Sequence, residues 1–270
     1  DAWDRAGGNY YPKLQISAPF TPATGPRLLL GDRPELAIPL LRAAEQLCDS
    51  NGLSSAHATF IEPAQLPLFE QVGWLPRSDI QFHWENRGYE SFADFLGQLS
   101  SDKRKNLRKE RRAALENDIS IDWLTGADLT EDVWDQFFRF YIDTGSRKWG
   151  RPYLTRLFYS LVGERMPHDI LLVMAKRNGR YVAGAINFIG AEALYGRHWG
   201  CVEDHPFLHF EVCYHQAIDF ALEKGLDRVE AGAQGEHKLA RGYLPVETHS
   251  IHWIADRSFR TAVDRYLQAE

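Results

Sequence analysis

The sequence predicts a mixed α/β fold whose sheets combine parallel and antiparallel strands. Three observations carry that expectation. Residues 14–85 read strand, helix, strand, helix, strand, the order of an α/β layer. Asn178-Gly179 separates two apolar runs rich in β-formers, a strong hairpin signal. Segments with apolar residues at helical spacing, at 34–50, 131–144 and 209–224, lie between the strands.

Taken in order, Leu14-Gln-Ile-Ser-Ala-Pro-Phe alternates partially and reads as a strand, and Arg27–Leu30 reads as a second short one. Leu36, Leu40, Ala43, Ala44 and Leu47 share a helical face, so 34–50 is a helix entered through Asp32 and Pro34 and stopped by Asn51-Gly52. Ser55–Ile61 is a strand, Pro63–Gln71 a short helix and Ser78–Glu85 a strand. From Ser91 to Asn117 the pattern is helical, broken near Ser100-Ser101-Asp102, and Ile119–Leu124 is extended. Helices follow at Glu131–Thr144 and Tyr153–Glu164. The hairpin strands Ile170–Lys176 and Arg180–Ile189 join Ala193–Trp199 in a three-stranded antiparallel meander. A helix at 209–224, strands at Arg228–Ala231 and Thr248–Ile254, and a helix at 258–268 complete the chain.

A chain of 270 residues buries roughly 70–75% of its unfolded surface, enough for one large domain or two small ones. Its net charge of −6 gives no global field toward nucleic acid or membrane, so any polyanion contact must be local. The 3 cysteines, Cys48, Cys201 and Cys213, make no paired framework, which fits a reducing, cytoplasmic setting. No apolar run approaches the ~20 residues of a membrane-spanning helix. Asp1-Ala-Trp-Asp-Arg-Ala-Gly-Gly reads like the end of a helix, so an upstream segment is expected.

Chemistry concentrates between Arg197 and Pro245. Glycines set among His, Glu, Lys and Arg lose backbone entropy and bury little apolar surface, so a plain core would not favour them. On the 209–224 helix, Glu211, His215 and Asp219 lie four apart on one side. A carboxylate beside an imidazole either orients a general base or makes a salt bridge. Gln234, Glu236, His237, Lys238 and Arg241 crowd a glycine-rich loop just after a strand, where a ligand crevice opens. Arg197, His198, Trp199, Tyr195 and Tyr243 are candidates to line it, and Arg147 and Trp149 belong to a second polar-aromatic loop. Seven of the ten residues from Lys103 to Arg112 are basic. Lys103, Arg104, Lys105, Arg108 and Arg112 are therefore candidate phosphate contacts, against the alternative of a solvated basic helix. His205 and His209 add imidazoles, but no HExxH or Cys/His spacing supports a metal.

Five segments carry a resemblance: Gln81-Phe-His-Trp-Glu-Asn-Arg-Gly-Tyr89, the basic run Lys103–Arg112, Gly196-Arg-His-Trp-Gly200, Phe207–Ile218 and Glu230–Pro245. They look like the FemAB-like group of N-acyltransferases, on an acetyltransferase-type (GNAT) fold. The resemblance implies two such units in tandem: a partial first one at 1–88, and a second at 89–270 that includes the basic helix 102–117. It implies transfer of an acyl or aminoacyl group to a small-molecule or peptide amine, with acyl-CoA as donor or, in the peptidoglycan-bridge type, aminoacyl-tRNA. One departure stands out. Where ordinary acetyltransferases carry a glycine loop for the coenzyme A pyrophosphate, this chain has Cys201-Val-Glu-Asp-His-Pro-Phe-Leu-His209, without glycine. By chemistry and position, Glu211, His215 or His237 would deprotonate the amine, and backbone amides, Lys238 or Arg241 would hold the oxyanion. Tyr195 or Tyr243 would protonate the leaving group. A non-catalytic module that recognises peptidoglycan precursors or other anionic ligands is the rival from another class.

Overall fold

The structure, a computed structural model, describes residues 10–147, 152–233 and 235–269. Along the chain lie β1 (Leu14–Ile16), α1 (Ala37–Ser50), β2 (Ser55–Ile61), α2 (Leu66–Glu70) and β3 (Leu75–Glu85). Next come α3 (Phe92–Gly97), α4 (Ser101–Ala114), β4 (Ile119–Leu124), α5 (Glu131–Arg147) and α6 (Arg156–Arg165). The meander is β5 (Ile170–Arg177), β6 (Arg180–Ile189) and β7 (Ala193–Cys201). Helix α7 begins at Leu208–Phe210, passes through a π turn at Glu211–His215 and continues as Gln216–Lys224. Strands β8 (Arg228–Glu230) and β9 (Leu244–Ile254) and helix α8 (Arg257–Leu267) follow.

Two compact units result, 1–80 with 246–270, and 81–245. The division differs from the expected 1–88 and 89–270, because the last strand and helix return to the first unit. In that unit β1 runs parallel to β2, and β2 runs antiparallel to β9. Helix α1 packs Ala37, Leu41 and Cys48 against Ala56, Ala58, Ile251 and Trp253. The buried Trp74 indole donates to Glu45 on that helix at 2.8 Å, so the one polar atom of the ring is satisfied. The expected strand at Arg27–Leu30 is absent. The side-chain oxygen of Gln65 accepts from the Arg27 and Leu28 amides, and the Arg27 guanidinium turns to the carbonyls of Thr59 and Ala23.

The second unit holds the mixed sheet that positions the site. The later part of β3 is antiparallel to β8, β8 is parallel to β7, and β7, β6, β5 and β4 are successive antiparallel neighbours. Strand β5 is buried on both faces, which is why its sequence is a continuous apolar run. Ile170, Leu172 and Met174 meet Trp134, Phe137, Phe140 and Tyr159 of α5 and α6. Leu171, Val173 and Ala175 meet Leu107, Val212, Ala217 and Phe220 of α4 and α7. Asn178 (φ 50°) and Gly179 (φ 75°) both take left-handed conformations, the geometry of a two-residue hairpin loop. Helix α4 stops at Ala114, short of the expected 117, because Asn117 and Asp118 are left-handed.

Helix α5 lies so close on β7 that a Cβ at Gly200 would overlap the Phe140 carbonyl. A backbone atom cannot rotate away, so Gly200→Ala should lower unfolding free energy by about 2 kcal/mol. Urea denaturation of the two proteins measures this directly.

Candidate functional site

The site begins where two strands part. Strand β8 pairs with β7 only over Ala193–Tyr195, and then ends at Glu230, where Ala231 and Gly232 (φ 76°) carry the chain away. Strand β7 continues to Cys201, paired with β6 alone. Arg197 is the extra residue of a bulge, since Ile186 faces His198 and Asn187 faces Gly196. Beyond Tyr195 the edge of β7 is therefore not paired with β8, and the two strands diverge along residues 196–201.

Beside this divergence lies an aromatic and cationic cluster. Trp199 meets the His209 ring at 5.2 Å, and His209 meets Tyr214 at 5.5 Å. The Tyr214 hydroxyl lies 3.1 Å from His237 Nε2, and the buried Tyr243 hydroxyl donates to the Tyr214 carbonyl at 3.0 Å. Burial pushes both phenols up, so both keep their protons at neutral pH. His237 is exposed, and partial burial followed by the charges of Arg241 and Lys238 lowers its pKa, leaving a neutral imidazole. Lys238 is buried, and its Nζ donates to the carbonyls of Ala231 and Gly232 at 2.6 and 2.9 Å. Desolvation brings that ammonium down to about 8. Arg241 stacks on Phe210 at 3.4 Å and donates to the His237 carbonyl and to Glu110.

The predicted Glu211–His215 partnership does not form. Glu211 is fully buried and accepts from Arg111 at 2.9 and 3.2 Å and from Gln216 at 2.7 Å. Arg111 also donates to Asp219 at 2.6 Å. Burial pushes the Glu211 carboxyl up, and the Arg111 charge pulls it back. His215 is buried against Phe92, with neither ring nitrogen hydrogen-bonded among the described residues. Burial, then the charges of Arg111 and Arg241, lowers its pKa to about 3. The π turn explains the separation, because it places Gln216 rather than His215 one turn along from Glu211, while Asp219 still shares Arg111 with Glu211.

Arg197 and His198 face a different neighbourhood. Arg197 donates to the Tyr153 hydroxyl at 2.6 Å, and His198 meets Tyr141 at 5.0 Å. Burial and then Arg197 lower the His198 pKa to about 4. Tyr195 approaches Gly190 and does not join the cluster around Trp199. On α4, Arg104 is spent on the Leu99 carbonyl at 2.6 Å. Lys103, Lys105, Arg108, Lys109 and Arg112 are exposed. Trp149 and Gln234 fall outside the described residues, as do the side chains of Arg147 and Glu236. Sequence reasoning missed Arg111, Glu110 and Tyr214. Their partners lie far along the chain, about a hundred residues away for Arg111, and no local spacing marks them.

The sequence profile of the FemAB-like family, described as peptidoglycan biosynthesis/recognition, matches residues 1–270. No curated protein matches the sequence. Among solved structures, L-PGS from Bacillus licheniformis is 12% identical with a TM-score of 0.62, over 87% of this chain and 79% of that one. The C-terminal domain of a putative lysylphosphatidylglycerol synthetase from Agrobacterium fabrum is 10% identical, TM-score 0.60, over 86% and 77%. FemX is 10% identical, TM-score 0.57, over 85% and 79%. At these identities the likeness is one of fold. No helix among the described residues is long and apolar enough to cross a membrane.

Arg111→Met strips the countercharge from a fully buried carboxylate and should cost about 3–5 kcal/mol, much of it restored by adding Glu211→Gln. A double-mutant cycle in urea reads the coupling. The buried histidines set an acid limit. His215 and His198 stay neutral in the fold but titrate near 6.5 when unfolded, so the unfolded state binds more protons below that pH. Stability is complete above about pH 6.5 and is lost as pH falls toward 4 and then 3. In His215→Phe the urea midpoint should fall less between neutral and acidic pH than in the parent.

Proposed function

Because the chain belongs to the FemAB-like family, matched along its whole length, we propose that it is an aminoacyltransferase passing an aminoacyl group from charged tRNA to an amine. In this reading the two units are acyltransferase-type units in tandem. Five exposed cations on α4, Lys103, Lys105, Arg108, Lys109 and Arg112, carry the choice of donor. None makes an ion pair with a carboxylate among the described residues, although the protein as a whole is acidic. A local basic face on a negative molecule suits a phosphate backbone. The names of the solved neighbours, with lysylphosphatidylglycerol among them, support an aminoacyl cargo.

The β7–α7 connection argues against coenzyme A in the usual mode. It has no glycine, and the first amides of α7 are already engaged, Leu208 with His205 and Phe210 with Phe207. A pyrophosphate would find few N–H groups there.

In the reaction, the acceptor nitrogen attacks the aminoacyl ester carbonyl, a C–N bond forms, and the C–O bond to the ribose breaks. The neutral His237 imidazole takes the proton that the attacking amine loses. The ribose oxygen leaves with that proton. The charges of Lys238 and Arg241 favour negative charge developing on the carbonyl oxygen. Trp199, His209 and Tyr214 form the wall against which the aminoacyl side chain would rest.

Titration with charged tRNA and with acetyl-CoA tests the donor. Five phosphate contacts would weaken tRNA binding roughly 100- to 500-fold between 50 and 200 mM salt. Replacing Lys105 and Arg108 by Gln should lower the salt slope by about 1.5. Saturable, salt-insensitive acetyl-CoA binding without tRNA binding would return the reading to an acyl-CoA-dependent N-acyltransferase. With a donor established, His237→Ala should lower kcat about 100-fold while KM for tRNA holds.

A further inference from the structure

Strand β4 ends the sheet of the second unit on one side. It pairs with β5 from Ile119 opposite Arg177 to Leu124 opposite Leu172, with no break in register. Among the described residues no strand pairs with its other edge. An antiparallel strand turns the N–H and C=O groups of alternate residues to opposite sides, so half of the β4 backbone groups point away from β5. Such an edge is a template for another strand, and folds ordinarily blunt it with proline, lysine, a bulge or a covering element. The β4 sequence, Ile-Ser-Ile-Asp-Trp-Leu, has no proline, lysine or bulge, and only Ile119 is buried. Its one charge is already met within the chain. Lys176 Nζ lies 2.5 Å from the Asp122 carboxylate, and the Tyr181 hydroxyl donates to it at 2.9 Å.

The two faces of β4 are unlike. Ile119, Ile121 and Trp123 lie on the side of the core shared with α7, where the Trp123 indole donates to Gln216 at 2.7 Å. Ser120 and Asp122 lie on the other side, and the exposed Ser120 is opposite Lys176 of β5. In a continuous antiparallel sheet, paired residues share a face. Two copies of β4 related by a two-fold axis must therefore pair about a residue rather than about a peptide bond. Three centres keep most of the strand paired. A centre at Asp122 sets the two Asp122 carboxylates against each other. A centre at Ser120 sets Asp122 against Asp118, whose backbone is left-handed (φ 59°) and does not continue the ladder. A centre at Ile121 sets Ile121 against itself, Ile119 against Trp123, and Ser120 against Asp122. Apolar side chains then meet on one face. On the other, each Ser120 hydroxyl donates to the Asp122 carboxylate of the second copy, and Lys176 continues that row on β5. Of the three registers, this one sets no carboxylate opposite another.

We propose that β4 is an interaction edge whose partner is a second copy of this chain, paired antiparallel about Ile121 so that the two sheets join. The register names the partner, because the strand complements itself in charge and in apolar surface. The pairing satisfies the outward N–H and C=O groups of both strands and covers the partly exposed Ile121 and Trp123. A strand pair this short is a small interface, so the dimer is weak, with Kd on the order of 100 μM. The proposal does not depend on the aminoacyl transfer argued above, since none of its residues belongs to that site.

Sedimentation equilibrium of the full chain between about 10 and about 500 μM tests it, and a monomer–dimer equilibrium is expected. Ser120 is exposed and outside the core, so changing it tests the register with the fold kept. Ser120→Asp sets carboxylate against carboxylate at both symmetric positions and should weaken association at least about fivefold. Within one chain the new carboxylate lies opposite Lys176, so the urea midpoint should hold or rise. Adding Asp122→Asn removes the repulsion and should return Kd to within about twofold of the parent. Ser120→Thr keeps the hydroxyl and should dimerise like the parent. A chain that stays monomeric at about 500 μM, a dimer indifferent to Ser120→Asp, or no recovery in the double variant would overturn the proposal.

Discussion

The second unit depends on the ion cluster that Arg111 makes with α7. Its guanidinium reaches two carboxylates, Glu211 at the start of the π turn and Asp219 beyond it, and its own face rests on Phe92 at 4.4 Å. Glu211 has no access to water, so its charge persists only because Arg111 and Gln216 occupy its lone pairs. The residue before Arg111 does the reverse: Glu110 receives Arg241 from the 236–241 loop. Neighbouring residues of one helix, with opposite charges, thus hold a helix and a loop that are distant in sequence. Such a pair contributes less to net stability than to uniqueness, because any other docking of α4 would leave a buried charge unmatched. The placement of His237 and Lys238 follows from it, since Arg241 anchors the loop through the His237 carbonyl.

The candidate groups then sort themselves by what they have left to offer. Glu211 is saturated, Tyr243 is committed to a carbonyl, and His215 is neutral, buried and without a hydrogen bond among the described residues. His237 is exposed and neutral, and so can accept a proton. Burial brings the Lys238 ammonium down to about 8, and its two carbonyl contacts suit the charged or the neutral form, since a neutral amine still has two N–H donors. The cluster therefore combines one exposed neutral imidazole with nearby positive charge.

How much of this was legible in the sequence depends on the range of the interaction. The hairpin at Asn178-Gly179 and the doubly buried β5 are written in local residues, and their ends were read to within a residue or two. The 236–241 loop was read as a site because its composition is unfavourable for a core. The basic run was read as one uniform patch, yet the fold divides it: Arg104 caps a preceding turn, Arg111 is internal, and the remainder is exposed. That division is fixed by the direction each side chain takes from the helix and by carboxylates far along the chain, neither of which composition contains. The π turn defeated the four-residue spacing of Glu211 and His215 for the same reason, since a single inserted residue has no sequence signature, although Glu211 and Asp219 still meet on Arg111. His57 and His252, 195 positions apart, became neighbours only through strand register.

The start of α7 shows how the fold distributes its positive potential. Phe207, at φ 63°, holds a left-handed conformation that a bulky residue adopts only when the surroundings enforce it. That conformation lets the Phe207 carbonyl accept from both Phe210 and Glu211, closing the first turn on itself. A helix that spends its leading amides internally cannot also offer them to an anion. The partial positive charge of the helix start is met instead by Glu211 in its first turns, and Glu211 in turn requires Arg111. The exposed positive charge is thus carried by side chains of α4 rather than by backbone amides. Side-chain cations grip a long, flexible polyanion better than a single pyrophosphate, because they are spread along a helix instead of converging on one point.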